Sequence, residues 1–237
     1  MIDETYLQKI CADVGIQLKL TEIMRFDRYA ELLVEWNEKI NLTAITEPME
    51  ISIKHFIDSL MLLHYCPLKN GSRLIDVGTG AGFPSLPCKL ARPDLAVTLL
   101  DSLNKRVLFL QELTCQLDLQ DVVCVHARAE EAGCLKEYRE RFDCATARAV
   151  AHLRELSEYC LPFVRVGGSF IALKGGDVAA ELKESEAAIR LLGGELAEIH
   201  NFILPDGSAR SLLRIENKTH TPTKYPRIAS KMKKNPL

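Results

Sequence analysis

Residues 73–83 read Arg-Leu-Ile-Asp-Val-Gly-Thr-Gly-Ala-Gly-Phe. A short apolar run ends at Asp76, glycines follow at 78, 80 and 82, and a second apolar run closes on Asp101. This is the pattern of a strand entering a glycine-rich turn that receives a nucleoside-bearing cofactor. Two cofactor classes use such a turn. A dinucleotide site spaces its glycines G-x-G-x-x-G, bringing backbone N–H groups and a helix N-terminus up to a pyrophosphate. Here the third glycine of that pattern falls on Phe83, and Asp76, two residues before Gly78, would repel a pyrophosphate. A carboxylate there suits S-adenosylmethionine, which lacks phosphate and carries an ammonium and a sulfonium. Asp101 is placed to accept hydrogen bonds from ribose hydroxyls, a role both classes share, so it does not discriminate.

Ligands of an open α/β sheet lie beyond the carboxyl ends of its strands. After the later strand-like runs those positions hold Ala129-Glu130, Arg148 and Lys174-Gly175-Gly176. Glu130 can seat an adenine, although a solvated loop acid reads the same way. A small apolar acceptor has no need of the cations Arg148 and Lys174, joined by Arg128, whereas a polynucleotide would use them on phosphate or on guanine acceptors. No Asp/Asn-Pro-Pro-Tyr/Phe motif follows the fourth strand, which argues against methylation of an exocyclic amine. Cys160-Leu161-Pro162 lacks the Pro-Cys order of a cytosine-C5 nucleophile and reads as part of a buried helix. What remains is an acceptor that is already nucleophilic, such as guanine N7. Its in-plane lone pair needs no general base, so catalysis reduces to alignment and electrostatics.

The elements that must position these residues fall into three stretches. Residues 1–65 form a helical N-terminal extension, with one helix ending before Gly15, a second begun near Thr21, and a third after Pro48. Asn41-Leu42-Thr43 reads as the polar stop of the second helix. His55 and Asp58 have the i, i+3 spacing of a hydrogen-bonded helical pair. Residues 66–217 alternate strands and helices. Strands are expected at 73–77, 96–100, 122–126, 142–147 and 169–174, and helices at 85–91, 103–117, 151–163 and 178–192. Two further strands, 195–204 and 210–216, follow with no helix between them. The expected fold is α/β: a doubly wound, mostly parallel seven-stranded sheet with a final antiparallel strand, the class I (Rossmann-like) methyltransferase variant.

Residues 218–237 form a basic tail with six Lys and Arg and no acid, so the net charge of −2 leaves −8 on the preceding 217 residues. Two readings stand for it: a solvated terminus, or an arm that orders on RNA phosphates. No apolar stretch approaches a membrane span, and the acidic start Met1-Ile2-Asp3-Glu4 is unlike a signal peptide, so a cytoplasmic location is expected. The eight cysteines contain no C-x-x-C pair and read as small buried hydrophobes, with no metal site expected.

Segments outside the glycine turn carry a family resemblance. Trp36 to Thr43, His55-Phe56-Ile57-Asp58-Ser59, Leu74 to Pro84, Leu99 to Arg106, Arg148-Ala149 and Ala172 to Gly175 together closely resemble the RsmG family, also called GidB. The likeness runs from about residue 5 to 217. It implies a bacterial guanine-N7 methyltransferase that acts on the so-called 530 loop of 16S ribosomal RNA with S-adenosylmethionine as donor, free RNA or the small ribosomal subunit as partner, and a monomeric state. It also implies that Gly78, Phe83, Ala129, Glu130 and Arg148 contact the cofactor, alongside the Asp76, Gly80, Gly82 and Asp101 read from the turn. Asn41, Arg128, Arg148 and Lys174 fall where the family has polar residues near the substrate. The tail after Lys218 is long against the members that end soon after the last strand. The alternatives are a small-molecule methyltransferase, a nicotinamide oxidoreductase, and a non-catalytic RNA-associated assembly factor.

Overall fold

The computed structural model describes residues 1–148 and 151–237. Ala149, part of one family-like segment, lies outside the described residues. The N-terminal extension begins with α1 (Glu4–Asp13), capped by Asp3, whose carboxylate accepts from Tyr6 N at 2.9 Å. Next, α2 (Leu20–Ile40) buries Ile23, Phe26, Tyr29 and Leu33 along one face. It stops at Asn41, whose left-handed φ of 51° breaks the helix while its N–H still reaches Asn37 O at 3.1 Å. Pro48 then opens α3 (Pro48–Glu50), where a missing N–H costs nothing.

The chain next widens into a π-helical stretch, Ile51–Ile57, before resuming as α4 (Asp58–Tyr65). A stretch this wide is uncommon, and shorter π-bulges gather at functional sites. The apolar spacing of Ile53, Phe56, Ile57 and Leu60 places a helix here but cannot show the extra residue per turn.

Seven strands follow in one sheet: β1 (Arg73–Val77), β2 (Ala96–Asp101), β3 (Val122–His126), β4 (Phe142–Arg148), β5 (Val164–Gly175), β6 (Gly194–Ile203) and β7 (Ala209–Asn217). Their order is β3-β2-β1-β4-β5-β7-β6, with every pair parallel except those made by β7, which runs antiparallel to both β5 and β6. The connecting helices are α5 (Ser85–Ala91), α6 (Asn104–Gln116), α7 (Ala129–Ala132), α8 (Leu153–Cys160) and α9 (Ala179–Leu191), with α10 (Ala229–Lys234) after the sheet. The expected helix 151–163 is shorter than its apolar pattern, because Leu161–Phe163, carrying Pro162, tightens into a 3-10 turn. Strand order reverses between β1 and β4, so the crevice for a ligand opens at their carboxyl ends.

Each sheet face has its own core. One is packed by α1, α2, the π-helical stretch and α4 to α6, with Leu7, Phe26, Phe56, Leu86, Leu99 and Leu110 in a single cluster. The extension therefore shares its core with the sheet. Phe142, Leu153, Phe163, Phe170, Ile189 and Tyr225 fill the other side. Among the described residues no helix is long and apolar enough to cross a membrane. Of the eight cysteines, five are buried as expected, while Cys124 is half-buried and Cys115 and Cys134 are exposed.

Candidate active site

The glycine turn is held from beneath and from the side. Gly78 N and Thr79 N donate to Leu100 O at 2.8 and 3.1 Å, and Gly80 N donates to Asp101 Oδ2 at 2.9 Å. Asp101 Oδ1 accepts from Leu103 N, so this carboxylate ties the turn to the end of β2 while lining the cavity beside it. Asp76 lies under the turn with no exposed surface. Its Oδ2 accepts from Thr79 Oγ1 (2.9 Å) and Ser85 N (3.2 Å), while Oδ1 has no hydrogen-bond partner. Burial pushes its carboxyl up to about 7 against the pull of those hydrogen bonds. The partner for that buried oxygen is a proton, a water or a donor brought by a ligand.

A cavity of about 270 Å³ opens alongside, lined by Gly78, Asp101, Ala129, Glu130, Tyr159 and, from the C-terminal segment, Ala229 and Lys233 among others. Gly80, at φ +62°, has open space where a side chain would begin, so a ligand can approach its backbone. The carboxylates, the half-satisfied Asp76 and the open backbone fit S-adenosylmethionine.

Across the crevice the site changes character. Arg148, at the end of β4, donates from Nη1 to Lys54 O (3.1 Å) and Asp58 Oδ2 (3.2 Å), and from Nη2 to His55 Nδ1 (3.2 Å). Its guanidinium lies 4.9 Å from the centre of the Phe83 ring, on which His55 also stacks at 4.3 Å. Because guanidinium only donates, His55 Nδ1 is the acceptor and Nε2 carries the proton. Nε2 then donates to Thr43 Oγ1 at 3.0 Å, and Thr43 N donates to Asn37 Oδ1 at 2.8 Å. Burial and the neighbouring Arg148 lower the His55 pKa to about 3, so the ring is neutral at physiological pH.

Arg210 of β7 reaches Asp58 Oδ1 at 3.2 Å, which makes Asp58 the shared counter-ion of two arginines. Burial raises the Asp58 pKa against both of them, and burial likewise lowers that of Arg148. A second cavity, about 350 Å³, is lined by Ile45, Lys54, His55, Asp58, Arg148, Lys174 and Arg210 among others, within the size range of ligand sites. Sheet register brings its parts together: Arg148 pairs with Leu173, Lys174 with Ser211, and Gly175 with Arg210.

Residues 22–211 match the family described as rRNA small subunit methyltransferase G. A relative called Ribosomal RNA small subunit methyltransferase G, from Leuconostoc mesenteroides subsp. mesenteroides, is 48% identical over 239 residues, spanning 100% of both chains. The chain belongs to the rRNA small subunit methyltransferase G family. Among solved structures, TrmN from Thermus thermophilus superposes with a TM-score of 0.53 at 21% identity, over 67% of this chain and 48% of that one. M. jannaschii TYW2 in complex with AdoMet gives 0.53 at 12% identity, over 64% and 71%. At these identities the likeness is one of fold.

In this member of the rRNA small subunit methyltransferase G family, the expected site residues divide unevenly. Gly78, Asp101, Ala129 and Glu130 line the donor-side cavity, and Gly78, Gly80, Phe83 and Arg148 line a smaller one of about 190 Å³ beside Thr43 and His55. Gly82 serves packing instead: a side chain there would start 2.6 Å from Leu86 Cδ1 and from Tyr29 Oη. Arg128, read with the substrate cations, stands at the donor-side cavity, its side chain 63% exposed and 4.0 Å from Glu130. Asn41 is exposed at the end of α2; its neighbours Leu42 and Thr43 reach the site in its stead. Lys174 lines the cavity of about 350 Å³ with Arg148 and Arg210, paired with Glu181 at 2.6 Å and donating to Ala151 O at 2.7 Å.

His55 and Asp58 do not bond to each other as their spacing predicts; both bond Arg148. Arg210, Lys54 and Thr43 were not singled out by sequence reasoning. Only the family-like Asn-Leu-Thr segment could have flagged Thr43, and nothing local marks Arg210. The basic tail is also neither free nor a departure from the family. Thr221, Tyr225 and Met232 are buried in it, and the Leuconostoc relative aligns across the whole chain.

Proposed function

We propose that this protein transfers a methyl group from S-adenosylmethionine to N7 of a guanine in the 530 loop of 16S ribosomal RNA, without a general base. Membership of the rRNA small subunit methyltransferase G family supports small-subunit RNA as the acceptor. The observation that carries the finer reading is the cationic acceptor-side cavity of Lys54, Arg148, Lys174 and Arg210, next to a histidine too acidic to serve as a base or carry charge. Bound S-adenosylmethionine supplies an electrophilic methyl on a sulfonium.

The protein holds the two reactants in line. Asp76, Asp101 and Glu130 favour the donor's ammonium and ribose on one side. Lys174 and Arg210 offer donors to phosphate or to guanine O6 on the other. Guanine N7 contributes the electron pair of the new C–N bond as the sulfur–methyl bond breaks and leaves its pair on a neutral thioether, and no proton moves. Positive charge passes from sulfur to the base, in a cavity whose cations are already paired with Asp58, Glu181 and Glu50, so alignment of N7 with the methyl is the main contribution to rate. Arg148 is held by three hydrogen bonds, to Asp58, His55 and Lys54, so it acts as a fixed field at the seam of the two cavities and not as a mobile phosphate ligand.

The test is incubation with labelled S-adenosylmethionine and either unmethylated 16S RNA or small subunits from a strain lacking this gene. Label released by alkali-labile cleavage at one guanine of the 530 loop is the expected result. Label at an exocyclic amine, or none in RNA or subunits, sinks the reading.

A further inference from the structure

Residues 218–237 leave β7 and run back along the domain to the donor-side cavity, held by three sets of contacts. Thr221 Oγ1 donates to Leu192 O at 2.9 Å, and Thr221 N to Glu140 Oε1 at 3.0 Å. Arg139, beyond α7, gathers the carbonyls of Tyr225 (2.8 Å) on Nη1 and of Thr221 (2.7 Å) and Pro222 (3.3 Å) on Nη2. Glu158 of α8, 1% exposed, receives Arg227 three ways: backbone N and Nε at 2.8 Å each, and Nη2 at 2.6 Å. Among the described residues, every hydrogen bond to the Glu158 carboxylate comes from Arg227. A buried carboxylate whose partner leaves is strongly disfavoured, so this pair acts as a latch that keeps the segment docked. Tyr225 and Met232 are buried beside it. Beyond the latch, α10 delivers Ala229 and Lys233 to the cavity wall shared with Gly78, Asp101, Ala129, Glu130 and Tyr159.

We propose that residues 218–237 are a structural part of the cofactor site: Ala229 and the methylene stem of Lys233 wall its adenosine end, and the Arg227–Glu158 pair holds them there. The proposal rests on S-adenosylmethionine as the ligand of this cavity. It gives the segment a task within the domain that needs no contact with RNA. Neutral faces of an adenosine lose most when left in water, and a methyl group and an aliphatic stem are suited to cover them while the lysine head stays solvated. Linkage then makes the effect reciprocal: a docked segment tightens donor binding, and bound donor holds the segment down.

Calorimetric titration of the full-length protein with S-adenosylmethionine tests this without any methyl-transfer readout. Ala229→Trp, which fills the cavity from the segment's side, is expected to raise Kd about tenfold or more, and Arg227→Ala by about fivefold, from the usual range of coupling between sites. The melting temperature of free Ala229→Trp is expected to match that of the unaltered chain. Tryptic cleavage after Lys231, Lys233 or Lys234 in the unaltered chain should slow in the presence of the donor, which holds even if a variant folds poorly. Unchanged Kd in both variants, or cleavage indifferent to the donor, overturns the proposal and leaves the cofactor reading standing. Absence of donor binding by the unaltered chain overturns both.

Discussion

The two sides of the crevice are built from opposite charges and satisfied to different degrees. On the β1–β2–β3 side the charged groups are mainly carboxylates, Asp76, Asp101 and Glu130, and one of them keeps a buried oxygen without a partner. On the β4–β5–β7 side they are cations, and all four are tied to protein acids: Arg148 and Arg210 to Asp58, Lys174 to Glu181, and Lys54 to Glu50. Asp58 Oδ1 also lacks a hydrogen bond, but Asp58 has two arginine ion pairs, whereas among the described residues Asp76 has no ion-pair partner. The side proposed to receive RNA is pre-paired, and on that proposal its cations trade internal counter-ions for those of an incoming polyanion. Such a site binds its small ligand through an unmet local demand and its large one through exchange, which is sensitive to salt.

The comparison is most severely tested at Arg148, which belongs to both sides. Arg148→Ala strips Asp58 of one buried partner and frees Lys54 O and His55 Nδ1. A loss of about 3 to 5 kcal/mol in urea unfolding is expected, together with loss of methyl transfer. An unfolding free energy close to that of the unaltered chain would mean that the two sides are not joined through this residue.

Asp76→Asn addresses the donor side alone. It should weaken S-adenosylmethionine binding by about a hundredfold in calorimetry. The free variant should melt no lower than the unaltered chain at pH 8, since a buried charge with a raised pKa has been removed. The sign follows from that shift. Below about 7 the folded free protein holds a proton on Asp76 that an ionised, ligand-paired carboxylate must lose, so the donor's Kd should rise as pH falls, by up to about tenfold per unit. Above about 7 it should level off. A donor affinity that is flat from pH 5.5 to 7, or a slope that survives in Asp76→Asn, breaks the assignment.

Lys174→Ala probes the acceptor side with a smaller effect. About a tenfold fall in kcat/KM for RNA is expected with donor Kd unchanged, and a shallower salt dependence of RNA binding. A changed donor Kd would erase the division between the sides. The smallest effect expected is none: with His55 neutral above about 3 and Asp76 ionised, the rate of transfer at saturating substrates should be flat between about pH 7.5 and 9. A limb in that range would point to a titrating base absent from the proposed chemistry.

The donor side was far more legible in the sequence than the acceptor side, for a physical reason. Asp76, Gly78, Gly80 and Asp101 belong to one β1–turn–α5–β2 unit, two adjacent parallel strands whose ends bond across the turn, so their spacing already carries the geometry. Even there, Gly82 looked like the third glycine of a ligand turn and proved to make room for Leu86 and Tyr29. The acceptor side is assembled from residues 43, 54, 55, 58, 148, 174 and 210, joined through a π-helical stretch and an antiparallel strand register. Helical periodicity in 51–65 finds the buried face but not the widened turn that brings Lys54, His55 and Asp58 to one arginine. The tail's charge run read as a solvated terminus or an arm for RNA phosphates, because composition registers six cations and not the single buried glutamate that holds one of them.

The place of Ala229 and Lys233 in the cavity wall gives the proposed closure an order in time. A chain made from its N-terminus completes the glycine turn and the strands around it long before these two residues exist. On the role proposed for them, every copy lacks one side of its donor pocket until the finished chain leaves the ribosome, and a truncated product that keeps all seven strands is left with that pocket open.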